Sequence, residues 1–448
     1  MDDPVEIESS LRHELITRQR RHRAPSVSIA LIRDGEVVWS DAAGHPTGRR
    51  DSPTATPQTP YRIGSITKTF VAVAVLQLVR DGAVALDDPI TDHLPELDES
   101  VRGVTVGSLL NHSSGLHAET QGPWWERSDG LTWKQLLPSV RRAHRPGARF
   151  HYSNVGYAVA GELVARQRKS CWFDAVRNGI LDPLELTRTT YERPDDAAPG
   201  WAVHPHADLL HDEPTHDSRA MAPAGQLWST VGDLAAWARF LARGDERVLP
   251  DDLRLDMHVP GVVDDTPGGR WSRAYGLGLD VFNIDGRRFI GHGGSMPGYL
   301  AALRIDPVTG DGFAVQANTT GNFDLDLGYD LLKRFDELSP RDDKPWTATG
   351  SIESLNITGT WFWGPREHVA TLHGGVLELR PVRVGRGSRF AMRDGVWVGL
   401  EDYYAGERLQ MHVEDGAQYL DLGSFRFTRT PYDPDADLPG GAHPDGWH

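Results

Sequence analysis

The chain has 448 residues, of which 39% are hydrophobic and 25% charged, and its formal net charge is −16. That length exceeds one ordinary core, so two or three domains are expected, and the balanced composition argues against long disordered stretches. The acidic surface repels phosphate backbones and speaks against nucleic acid as a partner, while the single cysteine, Cys171, excludes an internal disulfide, fits a reducing compartment and reads as a small buried apolar residue.

The opening Met1-Asp2-Asp3-Pro4-Val5-Glu6 has no basic segment followed by an apolar run, so no signal peptide is expected. The most apolar helical stretch, 70–79, is about half of the roughly 20 residues that span a bilayer. A cytoplasmic protein without membrane attachment is the expectation. Residues 6–23 read as a polar helix lying on the surface. Two β-prone runs, 26–32 and 36–40, flank Arg33-Asp34-Gly35 and predict a hairpin. From 65 to 80 the period changes: Phe70, Val71, Ala74, Val75 and Leu78 recur at helical spacing. Further helices are predicted at 106–110, 133–143, 156–166 and 230–242. Strands follow at 277–282, 288–291, 300–305 and 312–318, then a helix at 326–338.

Strands at both ends with helices between predict an α+β domain over 1–338. In it an antiparallel sheet gathers the ends and a helical region, roughly 86–270, is inserted at one side. Residues 339–351, with Ser339-Pro340-Arg341-Asp342-Asp343-Lys344-Pro345, read as a linker. Short strands separated by turn signals then predict a small all-β barrel over 352–430, and the Pro-, Gly- and Asp-rich segment 431–448 reads as a flexible tail.

Three places carry chemistry. In Gly64-Ser65-Ile66-Thr67-Lys68, at the start of a helix, residues three apart share a face, so the Ser65 hydroxyl and the Lys68 amine can touch. A serine hydroxyl needs an adjacent base to act as a nucleophile, and lysine serves only when its pKa is lowered. Lysine is scarce in this chain, at 68, 134, 169, 333 and 344, which gives the pair some weight. The alternative is a capping serine followed by a surface lysine. In His151-Tyr152-Ser153-Asn154, Tyr152 beside a lysine ammonium could ionise and shuttle the Ser65 proton, and Asn154 could hold a substrate carbonyl or Lys68. The alternative is a helix start with a core tyrosine. In Gly291-His292-Gly293-Gly294-Ser295, glycines ending a strand permit close approach of a substrate. The backbone amides of Ser65 and Ser295 could then form an oxyanion hole, with His292 bonded to Tyr152 or to a substrate carboxylate. The alternative is a turn histidine in a glycine-rich loop.

In this order the three motifs resemble the serine β-lactamase and penicillin-binding-protein superfamily, in its class C-like branch with D-aminopeptidases, esterases and acyltransferases. Further phrases of that branch are Tyr61-Arg62-Ile63-Gly64, Leu86-Asp87-Asp88-Pro89-Ile90, Leu109-Leu110-Asn111-His112-Ser113-Ser114-Gly115-Leu116, Asp182-Pro183-Leu184, Ser229-Thr230-Val231-Gly232-Asp233-Leu234 and Tyr275-Gly276-Leu277-Gly278. The likeness runs from about residue 26 to residue 338. It implies a β-lactamase-like fold with Ser65 as the acylated nucleophile and Lys68 and Tyr152 as the coupled base. It makes Asn154, His292, Gly293 and Gly294 substrate-binding or supporting, and assigns the oxyanion hole to the amides of Ser65 and Ser295. His292 stands where β-lactamases carry the lysine of Lys-Thr-Gly, so efficient β-lactam hydrolysis is not expected. The C-terminal barrel resembles the β domains appended to D-aminopeptidases, and Ile357-Thr358-Gly359-Thr360-Trp361 resembles a lipocalin-like start.

The function implied is hydrolysis of a small-molecule ester, amide or peptide through a Ser65 acyl-enzyme. The alternatives are acyl transfer to an amine or alcohol in a biosynthetic pathway, β-lactam hydrolysis, and an inactive binding protein. The chemistry requires no cofactor and no metal. His204, His206, His211 and His216 share one loop, interrupted by Pro205 and Pro214, and read as solvated surface. Trp124, Trp125 and Trp133 read as local core or as the lining of an acyl pocket. The sequence leaves the oligomeric state open.

Overall fold

The computed structural model describes residues 4–265, 268–321, 323–341, 345–348, 355–414, 416–432, 442–443 and 446–447. The chain divides into two compact units between Arg341 and Asp342. In the first, eight strands form one sheet in the order Glu36–Gly44, Ser26–Arg33, Gly312–Ala317, Tyr299–Ile305, Arg287–Met296, Asp280–Ile284, Arg273–Tyr275 and Val262–Val263. All of its pairings are antiparallel. The first hairpin turns through Asp34 and Gly35, both at positive φ, the backbone that a two-residue turn between right-twisted strands demands. Ser26–Arg33 pairs on its other side with Gly312–Ala317, Ile29 opposite Val315, so strands from the two ends of the unit lie side by side, second and third from one edge of the sheet.

Alternation along Ser26–Arg33 builds two cores. Val27, Ile29 and Leu31 face the helices Pro4–Arg21 and Leu327–Leu338, through Leu11, Leu15, Leu331 and Phe335. Ala30 and Ile32 face the larger core, centred on the helix Thr67–Arg80. That helix is buried all round from Thr67 to Leu78, as an apolar helix in the middle of a domain must be. The inserted helical region, with Asn154–Arg168 and Val231–Arg243, packs around it.

Several elements differ from expectation. The first helix is not simply polar: Leu11 and Leu15, one turn apart, are fully buried and anchor it to the sheet. The helix expected over 133–143 is only Trp133–Leu136 followed by a 3-10 turn Leu137–Ser139, because Pro138 lacks the N–H that would continue it. The strand expected at 277–282 starts at Asp280. Gly278 (φ +84) packs so tightly on the central helix that a Cβ there would lie 2.2 Å from the Ala72 Cβ, and this turn ends the Arg273–Tyr275 strand. The glycines of 291–295 do not end a strand; they continue Arg287–Met296. Cys171 is exposed: it is the N-cap of the short helix Trp172–Val176, which sends Trp172 and Val176 into the core instead.

The second unit is a closed antiparallel barrel of eight strands, from Gly359–Trp363 to Phe425–Thr428, with Phe362 opposite Thr428 at the seam. Trp361, Leu377, Phe390, Leu409 and Leu420 fill it. Residues 342–344 and 349–351 of the expected linker, 352–354 of the expected barrel, and 433–441, 444–445 and 448 of the expected tail lie outside the described residues. Within that tail, Ala442–His443 pairs with Gly446–Trp447. Among the described residues no helix is long and apolar enough to cross a membrane.

Candidate active site

Ser65 lies in a 3-10 turn, Gly64–Ile66, that runs directly into the helix Thr67–Arg80. Its hydroxyl stays partly accessible while Lys68, in the first helical turn, has no exposed surface. Lys68 Nζ donates to Ser65 Oγ over 2.8 Å and to the Ala224 carbonyl over 2.6 Å. Burial lowers the Lys68 pKa to about 7; the negative charges of Glu119, Glu126 and Asp280 pull it back only in part. Near neutral pH the amine therefore exists in both forms, and the neutral form can accept the Ser65 proton.

Tyr152 precedes the helix Asn154–Arg168, whose start is capped by Ser153 Oγ accepting from the Gly156 N–H at 2.9 Å. Its ring centroid is 5.0 Å from Lys68 Nζ, and its hydroxyl is hydrogen-bonded to Ser65. Burial pushes the phenol well above its ordinary value, and the Ser65 bond offsets only part of this. Burial thus disfavours the phenolate that the sequence suggested, and Lys68, lowered to about 7, is the readier of the two to lose its proton.

The ring of Tyr152 lies against His112, centroids 4.1 Å apart. His112 is fully buried at φ +60, and its Nδ1 accepts from the Ser153 N–H at 3.1 Å, which fixes the backbone just after Tyr152. Burial, reinforced by the Lys68 charge, holds this imidazole neutral.

Asn154 does not bond to Lys68. Its Nδ2 donates to Glu119 Oε1 over 2.7 Å, and Trp125 Nε1 donates to Glu119 Oε2, also over 2.7 Å. Glu119 itself remains open to solvent. Burial and the charge of Glu119 raise the pKa of Glu126. Of the tryptophans, Trp125 is buried, Trp133 half-buried and Trp124 exposed, so Trp124 is neither core nor enclosed lining.

His292 does not hydrogen-bond to Tyr152; their rings are 6.1 Å apart. Its Nδ1 faces the Gly293 carbonyl, which can only accept, so Nδ1 carries the hydrogen and Nε2 accepts from the Tyr275 hydroxyl at 2.7 Å. Burial lowers its pKa to about 4 and keeps it uncharged. Beside it the Arg287–Met296 strand runs hard against the nucleophile turn. A Cβ on Gly64 (φ +51) would stand 2.5 Å from the Ser295 nitrogen, and one on Gly294 would stand 1.9 Å from the Ile63 carbonyl oxygen. Only glycine permits this approach, and it brings the Ser295 amide beside the residue preceding Ser65.

Ser65, Lys68 and Tyr152 are thus together; Asn154 is bonded to Glu119, whose charge acts on Lys68, and His292 is bonded to Tyr275. Sequence reasoning missed Glu119, His112, Trp125 in this role, and Tyr275. His112 and Tyr275 lie within quoted phrases; Glu119 lies in a loop with no periodic signal. His204, His206 and His211 neighbour one another, with ring centroids 6.0 and 5.8 Å apart, while His216 Nε2 donates to the Trp125 carbonyl. Among the described residues no cluster of His, Cys, Asp and Glu could hold a metal ion.

The family model described as Beta-lactamase matches residues 11–334, and one described as a domain of unknown function (DUF7586) matches residues 351–429. Penicillin-binding protein 4 of Amycolatopsis lactamdurans is 27% identical over 336 residues, covering 69% of this chain and 86% of that protein. Protein flp of Staphylococcus aureus (strain N315) is 24% identical over 338 residues, 72% of this chain; the match spans 64% of that protein's length. Among solved structures, a D-stereospecific amidohydrolase from Streptomyces sp. is 28% identical with a TM-score of 0.60, covering 74% of this chain and 98% of that one.

Proposed function

The chain belongs to the Beta-lactamase family, and from that premise we propose that it is a serine hydrolase cleaving a small amide or ester through an acyl-enzyme on Ser65. The observation that carries the reading is the buried Lys68, its pKa lowered to about 7 and its Nζ 2.8 Å from Ser65 Oγ. The neutral amine takes the Ser65 proton as Oγ attacks the carbonyl carbon. The oxygen that becomes negative is received by the N–H groups of Ser65 and Ser295. The proton passes from Lys68 by way of the Tyr152 phenol to the leaving amine or alcohol, and the C–N or C–O bond breaks. Water then attacks the acyl-enzyme, giving its proton to the same pair, and the acid leaves as Ser65 regains its hydrogen.

The substrate class we infer bears an ammonium group beside the scissile carbonyl, as amino-acid amides and esters do. Glu119, oriented by Asn154 and Trp125 and open to solvent, supplies negative charge for such a group. The likeness to a D-stereospecific amidohydrolase supports D configuration. His292, uncharged and bonded to Tyr275, offers no cation for the carboxylate of a β-lactam.

Turnover of D- and L-phenylalanine amide by the intact chain and by Ser65→Ala tests the reading. Ser65-dependent release of ammonia, faster for the D form, is expected. Equal turnover by Ser65→Ala would overturn it. Added amine or alcohol separates hydrolysis from acyl transfer: transfer products that replace the free acid would assign the chain to the second class.

A further inference from the structure

The barrel has a cavity of its own. It measures about 530 Å³ and opens at one end, where Trp363, Tyr404, Phe425 and Phe427 meet Arg366 and Arg386. The mouths of β-barrels are a recurrent place for ligands, and mostly apolar cavities of about this size with a few polar groups are the usual form.

The two arginines decide what would fit. Neither makes an ion pair among the described residues. Their charges lie over aromatic faces instead: Arg386 is 4.0 Å from the Tyr403 ring centroid and Arg366 is 5.7 Å from that of Trp363. Elsewhere in the barrel Glu378 pairs with Arg380 and Glu401 with Arg389. A guanidinium stacked on a ring keeps its N–H edge free, in the fork geometry that matches a carboxylate. No Asp or Glu lines the cavity, although the chain carries a net charge of −16. Around the opening the apolar side chains of Val382, Val384 and Tyr403 are exposed, Val384 completely. Apolar surface next to unpaired cations calls for a ligand with both characters.

We propose that this end of the barrel binds a single amphiphilic carboxylate, its acid group between Arg366 and Arg386 and its aryl or alkyl part against Phe425 and Phe427. The site is independent of Ser65 and of the hydrolase reading.

The full-length Ser65→Ala protein, titrated with 11-(dansylamino)undecanoic acid, tests it. Saturable binding is expected, displaced by dodecanoate but not by dodecanol or dodecyltrimethylammonium. The double variant Arg366→Gln/Arg386→Gln should weaken binding by about tenfold or more, while Met392→Gln, at a different hairpin, should leave it unchanged. Arg366 and Arg386 are exposed, so their loss should leave the melting temperature unchanged. Absence of saturable binding, equal affinity of the double variant, or equal displacement by the cationic amphiphile would overturn the proposal. So would sedimentation with anionic phospholipid vesicles in the absence of monomer binding, which would make this end a membrane-facing surface instead.

Discussion

Lys68 Nζ and Ser65 Oγ stand 2.8 Å apart, with the lysine wholly withdrawn from solvent and the serine still reachable. One helical turn supplies both the contact and the asymmetry. Burial that would be a liability for a structural lysine here lowers the pKa to about 7, which suits the amine to the base's role proposed for it.

The pH profile should carry this lysine's signature. Activity rises as Lys68 loses its proton, so kcat/KM should climb through an apparent pKa near 7. Lys68→Arg cannot deprotonate and should lose about 10³-fold or more in kcat. Stability follows the same proton. The unfolded chain holds it up to the ordinary value of 10.5 and the folded chain only to about 7. Between these values the unfolded state binds more protons, so this group's penalty on folding is full below about 7 and fades as pH rises towards 10.5. Lys68→Met should therefore be the more stable protein at pH 7, by roughly 1–3 kcal/mol, with the difference shrinking at pH 9. Thermal melts at both pH values check it.

Tyr152→Phe separates the two members of the pair. Burial pushes the phenol up and favours its neutral form, and in the proposed mechanism it relays a proton without setting the rising limb. The variant should lose about 10²–10⁴-fold in kcat and keep the limb near 7. Disappearance of that limb in steady-state profiles would assign the titration to Tyr152 instead.

Gly64→Ala probes the oxyanion hole. The new Cβ would press on the Ser295 nitrogen from 2.5 Å and sit at φ +51. Displacing that amide should cost about 10²–10³-fold in kcat, the scale of one lost donor. The melting temperature should also fall, by an amount matching about 1–2 kcal/mol. Near-normal esterase activity would remove Ser295 from the hole.

Glu119→Gln should act twice. An ammonium-bearing amide should lose about 10–100-fold in kcat/KM, the scale of a charge-assisted contact, while p-nitrophenyl acetate, which has no ammonium, should not. The charge of Glu119 also raises the Lys68 pKa, so its loss should move the rising limb to lower pH for both substrates. A limb that stays in place would deny the coupling.

What the sequence revealed, and what it hid, follows from the range of the forces involved. Ser65 and Lys68 are three residues apart on one helix, and local geometry alone joins them. The Asp34-Gly35 hairpin and the barrel strands are equally local, set by turn chemistry and alternation. Glu119 is different: its hydrogen bonds from Asn154 and Trp125 close a loop whose path no periodicity encodes. The run 291–295 misled because glycine weakens a strand in isolation, whereas here the close approach to Ile63 and Gly64 is the reason for glycine within a strand. For His292 the sequence left a bond to Tyr152 or to a substrate carboxylate open; Tyr275, on another strand of the sheet, takes its Nε2 instead, a pairing set by sheet register rather than by local spacing. Cys171 misled because small apolar character favours burial but does not enforce it at a helix start on the surface.

Formation of an ester between Ser65 and its substrate is the central step of the proposed chemistry. Intact-protein mass after brief exposure to a fluorophosphonate and to p-nitrophenyl acetate, with Ser65→Ala beside the unaltered chain, tests that most directly. One adduct per chain that vanishes in Ser65→Ala is the predicted result. An unmodified chain with both reagents, or an adduct that survives in Ser65→Ala, would contradict it.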